Sequence, residues 1–221
     1  WDLRYPPPNS TTHEYPIAAV PHDTPRHPLG PLVVPGKYQA RLVAGVRTET
    51  HEFEVKMDPR VKTSPIDLQQ QFDAETKLAS AVSETSELVT QARTVHEQIS
   101  KLLDKAPNSL KDPLESLDRR ISELLDADKD DDSAKVPTLP ATNANLITLY
   151  AEIDRADAVP TLAQVDAVIK NEAAFGAMLT RWNQLKSHDI PALNHDLKGA
   201  GLTELRLDLP PQQQEGGENE E

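Results

Sequence analysis

From Leu68 to Leu103, apolar residues recur at spacings of mostly three, four or seven: Leu68, Phe72, Ala79, Val82, Val89, Ala92, Ile99 and Leu103. At about 3.6 residues per turn, this predicts one amphipathic helix of about ten turns. No other feature constrains the fold as strongly. A continuous apolar stripe of that length has to be buried against other elements, because propensity alone does not hold such a helix in water. The start of the helix is marked. Ser64 is a natural N-cap, Pro65 occupies the first helical position and Asp67 lies three residues after the cap. Pro107-Asn108 ends it.

The chain beyond keeps the helical period. A second helix is expected from roughly Leu110 to Leu125, carrying Leu114, Leu117, Ile121, Leu124 and Leu125, followed by a polar, acidic linker from Asp126 to Pro140. A third starts near Thr142 and buries Leu146, Leu149, Tyr150 and Ile153. Pro160-Thr161 opens a fourth with Val165, Val168, Phe175, Leu179, Trp182 and Leu185 in register. Pro191 is expected to interrupt it, leaving a short helix through Leu193 and Leu197 that ends at Gly199 or Gly201. Four amphipathic helices with short connections predict an antiparallel four-helix bundle over residues 64–205. Such a bundle uses the long stripe fully and is preferred to pairing with a partner's helix. Residues 206–221, rich in Gln, Gly and Glu, read as a disordered acidic tail.

The first 63 residues are built differently. Eleven of the 19 prolines fall within residues 1–65, and that stretch is nearly neutral, so the remainder carries essentially all of the net charge of −13. Trp1 to Tyr5 alternates as a strand would. The proline-rich stretch 6–35, with Pro6-Pro7-Pro8, reads as an extended loop wrapping a sheet edge, in preference to a polyproline ligand for an aromatic groove. After the Pro35-Gly36 turn, Tyr38, Ala40 and Leu42 share one face while Lys37, Gln39 and Arg41 share the other. Ala44-Gly45-Val46 turns the chain, and Thr48 to Met57 alternates again with Phe53, Val55 and Met57 on one face. This is an antiparallel hairpin. Three strands cannot close a sandwich. The expected fold class is therefore α+β: a partial antiparallel Ig-like β-sandwich (hairpin plus edge strand) over 1–63, its missing strands upstream of Trp1, followed by the bundle. A chain that opens on Trp, with no basic segment leading into an apolar one, reads as a fragment or mature piece of something longer.

Composition removes several classes of function. A net charge of −13 argues against nucleic-acid binding, which needs a basic face. No apolar run approaches the ~20 residues of a membrane-spanning helix. Zero cysteines exclude a disulfide scaffold, a zinc–thiolate site and a Cys nucleophile. A calcium loop beginning at Asp126 would need Gly and Glu where Asp131 and Pro137 stand, so the run to Asp132 reads as a solvated linker. His13, His22 and His27 lack metal-ligand spacing, His96 flanks the long stripe, and His188 and His195 straddle Pro191 and make no pair. No glycine-rich phosphate loop and no GxSxG elbow occurs. The carboxylates fall on helix exteriors, and a slim bundle offers no cleft across which a glycosidase pair could face. Asn9-Ser10-Thr11 matches a glycosylation sequon, and Phe175 with Trp182 reads as core. No catalytic, cofactor-binding or metal-ligating residue is assigned, no cofactor is expected, and the chain is read as no enzyme.

A series of short motifs in order carries a resemblance: Trp1-Asp2-Leu3-Arg4-Tyr5-Pro6, then Gly30-Pro31-Leu32-Val33-Val34-Pro35-Gly36-Lys37-Tyr38, then Val55-Lys56-Met57-Asp58-Pro59-Arg60. Arg181-Trp182-Asn183-Gln184-Leu185, Asp189-Ile190-Pro191-Ala192-Leu193-Asn194 and Gly201-Leu202 complete it. Together they resemble the C-terminal region of bacterial sortilin-like (VPS10-type) BNR/Asp-box β-propeller proteins, often labelled glycosyl-hydrolase-like. The resemblance implies a propeller upstream in the same polypeptide, export to the periplasm or beyond the cell, and a signal peptide upstream of Trp1. No Asp-box motif occurs in these residues, so no propeller activity is carried onto them. The expected role is a non-catalytic accessory region that buttresses the propeller or binds a protein partner. The alternative is part of a glycoside-hydrolase-like enzyme whose active site lies upstream. A carbohydrate-binding module would need exposed aromatics on the sheet, where Tyr38 and Phe53 are read as facing inward.

Overall fold

A computed structural model describes residues 1–11, 28–126 and 137–208. His13, His22, His27, residues 127–136 of the acidic linker and the tail beyond Asp208 lie outside the described residues, and the last linker residues expected, Leu139 and Pro140, are already helical. The architecture is α+β: β1 (Gly36–Ala44) and β2 (Arg47–Val55) form a two-stranded antiparallel sheet, followed by α1 (Pro65–Leu103), α2 (Asn108–Leu125), α3 (Leu139–Ile153), α4 (Leu162–Gln184) and α5 (Ile190–Gly199). The chain divides into two compact units, one of Trp1–Ser83 with Asn145–Asn171, the other of Glu84–Ala144 with the chain from Glu172.

In the first unit the hairpin register pairs Tyr38 with Phe53 and Ala44 with Arg47, leaving Gly45-Val46 as a two-residue loop. Gly45 has φ +59, a conformation that a side chain would strain, which is why glycine stands there. Trp1–Tyr5, expected as an edge strand, is not one. Asp2 Oδ1 accepts the Arg4 N–H at 3.1 Å, closing an Asx turn. Leu3 has φ +64, far from the extended values of a strand, and the Trp1 indole donates to the Arg4 carbonyl at 2.9 Å. A single bridge between Arg4 and Leu32 remains, made by Tyr5 N–H to Pro31 O and Val33 N–H to Leu3 O, both 2.9 Å. The described sheet is thus the hairpin alone, and no sandwich is formed by it.

The proline-rich entry packs on a helix, where a sheet edge was expected. Tyr5 meets Phe72 of α1 at 5.3 Å between ring centroids, and the Asn9 N–H donates to Ser83 Oγ at 3.0 Å. Gly30 lies so close to this strap that a Cβ on it would sit 1.8 Å from the Tyr5 carbonyl oxygen. Gly30→Ala is expected to cost about 1–3 kcal/mol, the usual penalty of overpacking, read as a lower denaturant midpoint. An unchanged midpoint would show that the strap shifts freely. The core of this unit is Leu78 and Val82 of α1, Leu146, Tyr150 and Ile153 of α3, and Val168 of α4.

Helix α1 begins as its residues dictate: Ser64 Oγ accepts the Asp67 N–H at 3.2 Å and bonds the Asp67 carboxylate at 2.7 Å. In the second unit its apolar face, including Val89, Ala92, Val95 and Ile99, joins Leu114, Leu117, Ile121 and Leu124 of α2. Phe175, Met178 and Trp182 of α4 and Leu193 and Leu197 of α5 complete the cluster. Pro191 does not interrupt the chain's helical course. Leu185–Asp189 forms one widened π-helical turn, in which the Ile190 N–H reaches the Leu185 carbonyl five residues back. The wider turn accommodates a ring that would crowd a normal one, and Pro191 sits at the start of α5, where its missing N–H is not needed. The end of α5 is also explained. Leu202 N–H bonds Leu197 O at 2.9 Å and Gly201 N–H bonds Lys198 O at 3.1 Å, with Gly201 at φ +71, a complete Schellman closure. Leu205 beyond it is buried, and Gln98 exchanges two hydrogen bonds with the Arg206 backbone, so the first residues of the expected tail are held.

Candidate functional site

The richest polar chemistry lies in the first unit, on the faces of α1 and α3. Gln71 and Glu75, one turn apart on α1, are both buried, and Gln71 Nε2 donates to Glu75 Oε1 at 2.8 Å. The same amide also donates to the carbonyls of Ile153 and Ala156, at 3.1 and 3.0 Å, at the end of α3. Its oxygen accepts the Ala158 N–H at 3.0 Å. Gln71 therefore ties the α3 terminus to α1, its two N–H donors shared among three acceptors and its oxygen holding the Ala158 N–H. Arg4 Nη1 bonds the Gly30 carbonyl at 2.6 Å and Asp154 Oδ1 at 3.0 Å, so its charge is spent on Asp154. The Tyr150 hydroxyl donates to the Leu29 carbonyl at 2.7 Å.

Glu75 is the outlying group. It is 2% exposed. Its carboxyl is pushed up to about 7, chiefly because burial penalises the charged form. The Gln71 bond works against that rise, as does Arg4, while Asp154 and Asp157 add to it. Tyr150 is raised too, first by burial and then by Asp154 and Glu75. Gln71, Glu75, Asp154 and Asp157 line a cleft of about 240 Å³, whose other walls include Val33, Val55, Lys56, Met57, Asp58, Leu68 and Phe72.

Sequence reasoning placed the carboxylates on solvated exteriors and allowed no cleft. Here Glu75, Asp154 and Asp157 line one. The signal was present: Glu75 stands seven residues after Leu68, in the apolar stripe between Phe72 and Ala79.

The same unit carries an exposed apolar surface on the hairpin. Trp1, itself 70% exposed, lies over the half-buried pair Tyr38 and Phe53 with ring centroids at 6.0 and 5.9 Å. Tyr38 and Phe53 therefore face Trp1. Towards the tip, Leu42 and Val43 are well exposed and Val46 fully so, and among the described residues neither strand pairs with any strand but the other.

In the second unit, His96 Nδ1 meets Asp118 Oδ1 at 2.7 Å, and Arg120 pairs with Asp189. His188 and His195 are both exposed, and among the described residues no group of three or more His, Asp or Glu is placed to hold a metal ion. Phe175 and Trp182 are core, the Trp182 indole donating to Gln91 Oε1 at 3.2 Å. Val165, expected to be buried with them, is 43% exposed. Asn9 of the sequon is exposed. No helix among the described residues is long and apolar enough to cross a membrane. Comparison with known proteins finds no matching family, no matching curated protein and no matching solved structure.

Proposed function

We propose that this chain is a non-catalytic interaction region, joined in the same polypeptide to an upstream, exported β-propeller that it buttresses through its hairpin. The observation that supports this reading is the uncovered surface of the hairpin. An isolated two-stranded ribbon is marginal in water, and exposed apolar strands with free edges invite pairing with further chain. Leu42, Val43 and Val46 leave most of their apolar surface uncovered among the described residues. In this reading the hairpin ends an Ig-like sandwich whose other strands come from the preceding polypeptide, and an antiparallel helical bundle follows it. The ordered motifs from Trp1-Asp2-Leu3-Arg4-Tyr5-Pro6 to Gly201-Leu202 support the placement after a propeller, and with it a periplasmic or secreted location.

The test supplies the upstream propeller as a separate polypeptide and measures its affinity for this chain. The double substitution Leu42→Asp with Val46→Asp alters only exposed side chains. It is expected to leave the chain's own stability within about 0.5 kcal/mol. It is expected to weaken association at least about tenfold, or about 1.4 kcal/mol. Equal affinity of the two forms would overturn the assignment of the hairpin as the contact surface.

A further inference from the structure

We propose that the cleft bounded by Glu75, Asp154 and Asp157 binds a primary ammonium group carried on an apolar stem, a site separate from the hairpin surface. The cleft is mixed in chemistry. Val33, Val55, Met57, Leu68 and Phe72 give it apolar walls, and Glu75, Asp154 and Asp157 line it too. Lys56 and Asp58 also border it, but the Lys56 ammonium is paired with exposed Glu54 at 3.4 Å and Asp58 with Arg60 at 2.6 Å. Of Glu75, Asp154 and Asp157, Asp154 alone has an ion pair among the described residues, with Arg4 at 3.0 Å. Gln71 is the one hydrogen-bond partner of Glu75 among the described residues, and it reaches Oε1 alone, leaving Oε2 open on a residue that is 2% exposed. A nearly buried carboxyl with an unused acceptor, lining an unfilled apolar cleft, is matched by a donor that brings positive charge and a hydrocarbon chain.

The volume agrees. At about 30 Å³ per water-sized group, a cleft of about 240 Å³ has room for about eight such groups, enough for an ammonium on a four-carbon stem with space to spare. A metal ion would find fewer suitable partners, because no group of three or more His, Asp or Glu among the described residues converges to hold one. The charged groups around Glu75 set the pH dependence. Asp154 and Asp157 favour its protonated form, Arg4 favours its ionised form, and Tyr150 stays neutral beside it. Lys56 and Asp58, which border the cleft, are ion-paired with Glu54 and Arg60. An entering ammonium adds to the effect of Arg4 and draws the proton from Glu75 into solvent. Binding therefore strengthens as pH rises towards 7, releasing a proton below that point, and levels off above it.

The experiment titrates the full chain with n-butylammonium, by calorimetry and by ligand-observed NMR, from pH 5 to pH 8. Millimolar binding that tightens across this range, with proton uptake by the buffer at pH 6, is expected. Glu75→Gln, which keeps the bond to Gln71, is expected to weaken binding at pH 8 at least about tenfold and to abolish its pH dependence. A thermal melt confirms that this variant is folded. No saturable binding to the native chain, or equal binding by the Gln variant, would overturn the proposal. A lysine-containing peptide compared with its norleucine counterpart then separates the two sources of such a group. Tighter binding of the lysine peptide than of butylammonium assigns the site to a protein side chain, and weaker binding assigns it to a free amine.

Discussion

Replacing Glu75 by Gln stabilises the chain above pH 7 and leaves it unchanged near pH 4. Glu75 is buried on α1 with its carboxyl raised from its ordinary 4.5 to about 7, so the fold favours the neutral form. Below pH 4.5 both the folded and unfolded chains carry the proton and the group is neutral in effect. Between 4.5 and 7 the unfolded chain loses the proton while the folded chain keeps it, and stability falls with rising pH. Above 7 both are ionised and the penalty is complete. At about 1.4 kcal/mol per pH unit, the interval amounts to about 3 kcal/mol, an order-of-magnitude figure. Glutamine keeps the acceptor that Gln71 uses and never ionises. Urea denaturation at pH 4.5 and pH 8 reads the effect directly. A Gln variant no more stable than the native chain at pH 8 would mean that Glu75 is hydrated or compensated in the folded state.

Trp182→Ala is expected to cost about 3–5 kcal/mol, the range for deleting a large aromatic from a core. Trp182 is 1% exposed, sits among residues of α1, α2 and α5, and leaves the Gln91 side chain without its indole donor when removed. Unfolding followed by fluorescence of the remaining Trp1 and by far-ultraviolet circular dichroism gives the number. A loss below about 1 kcal/mol would show that this core is loose enough to close over the gap.

Much of the helical architecture was readable because its signals are local. The cap at Ser64 and Asp67, the break at Pro107 and the closing glycine at Gly201 act within a turn of where they stand. The hairpin was readable for the same reason, through alternation and one glycine at the turn. What failed depended on partners distant in sequence or on backbone angles that alternation does not encode. Trp1–Tyr5 alternates like a strand, yet Asp2 and Leu3 fold it into a turn. The period of α4 placed Val165 with the core set, but period identifies a stripe without saying which neighbours cover it, and Leu162, Val165 and Ile169 are exposed. The cleft was missed because Glu75 was judged by its charge, whereas its position in the stripe of α1 decides its burial. Its companions Asp154, Asp157 and Arg4 arrive from elsewhere in the chain.

The size of the native product tests the central claim most directly. An immunoblot of the source cells, using antibody raised against residues 66–208, is expected to reveal a band several times larger than the 24.4 kDa of this chain, as a region joined to a propeller requires. A single band near 24.4 kDa would contradict the proposed linkage to an upstream propeller.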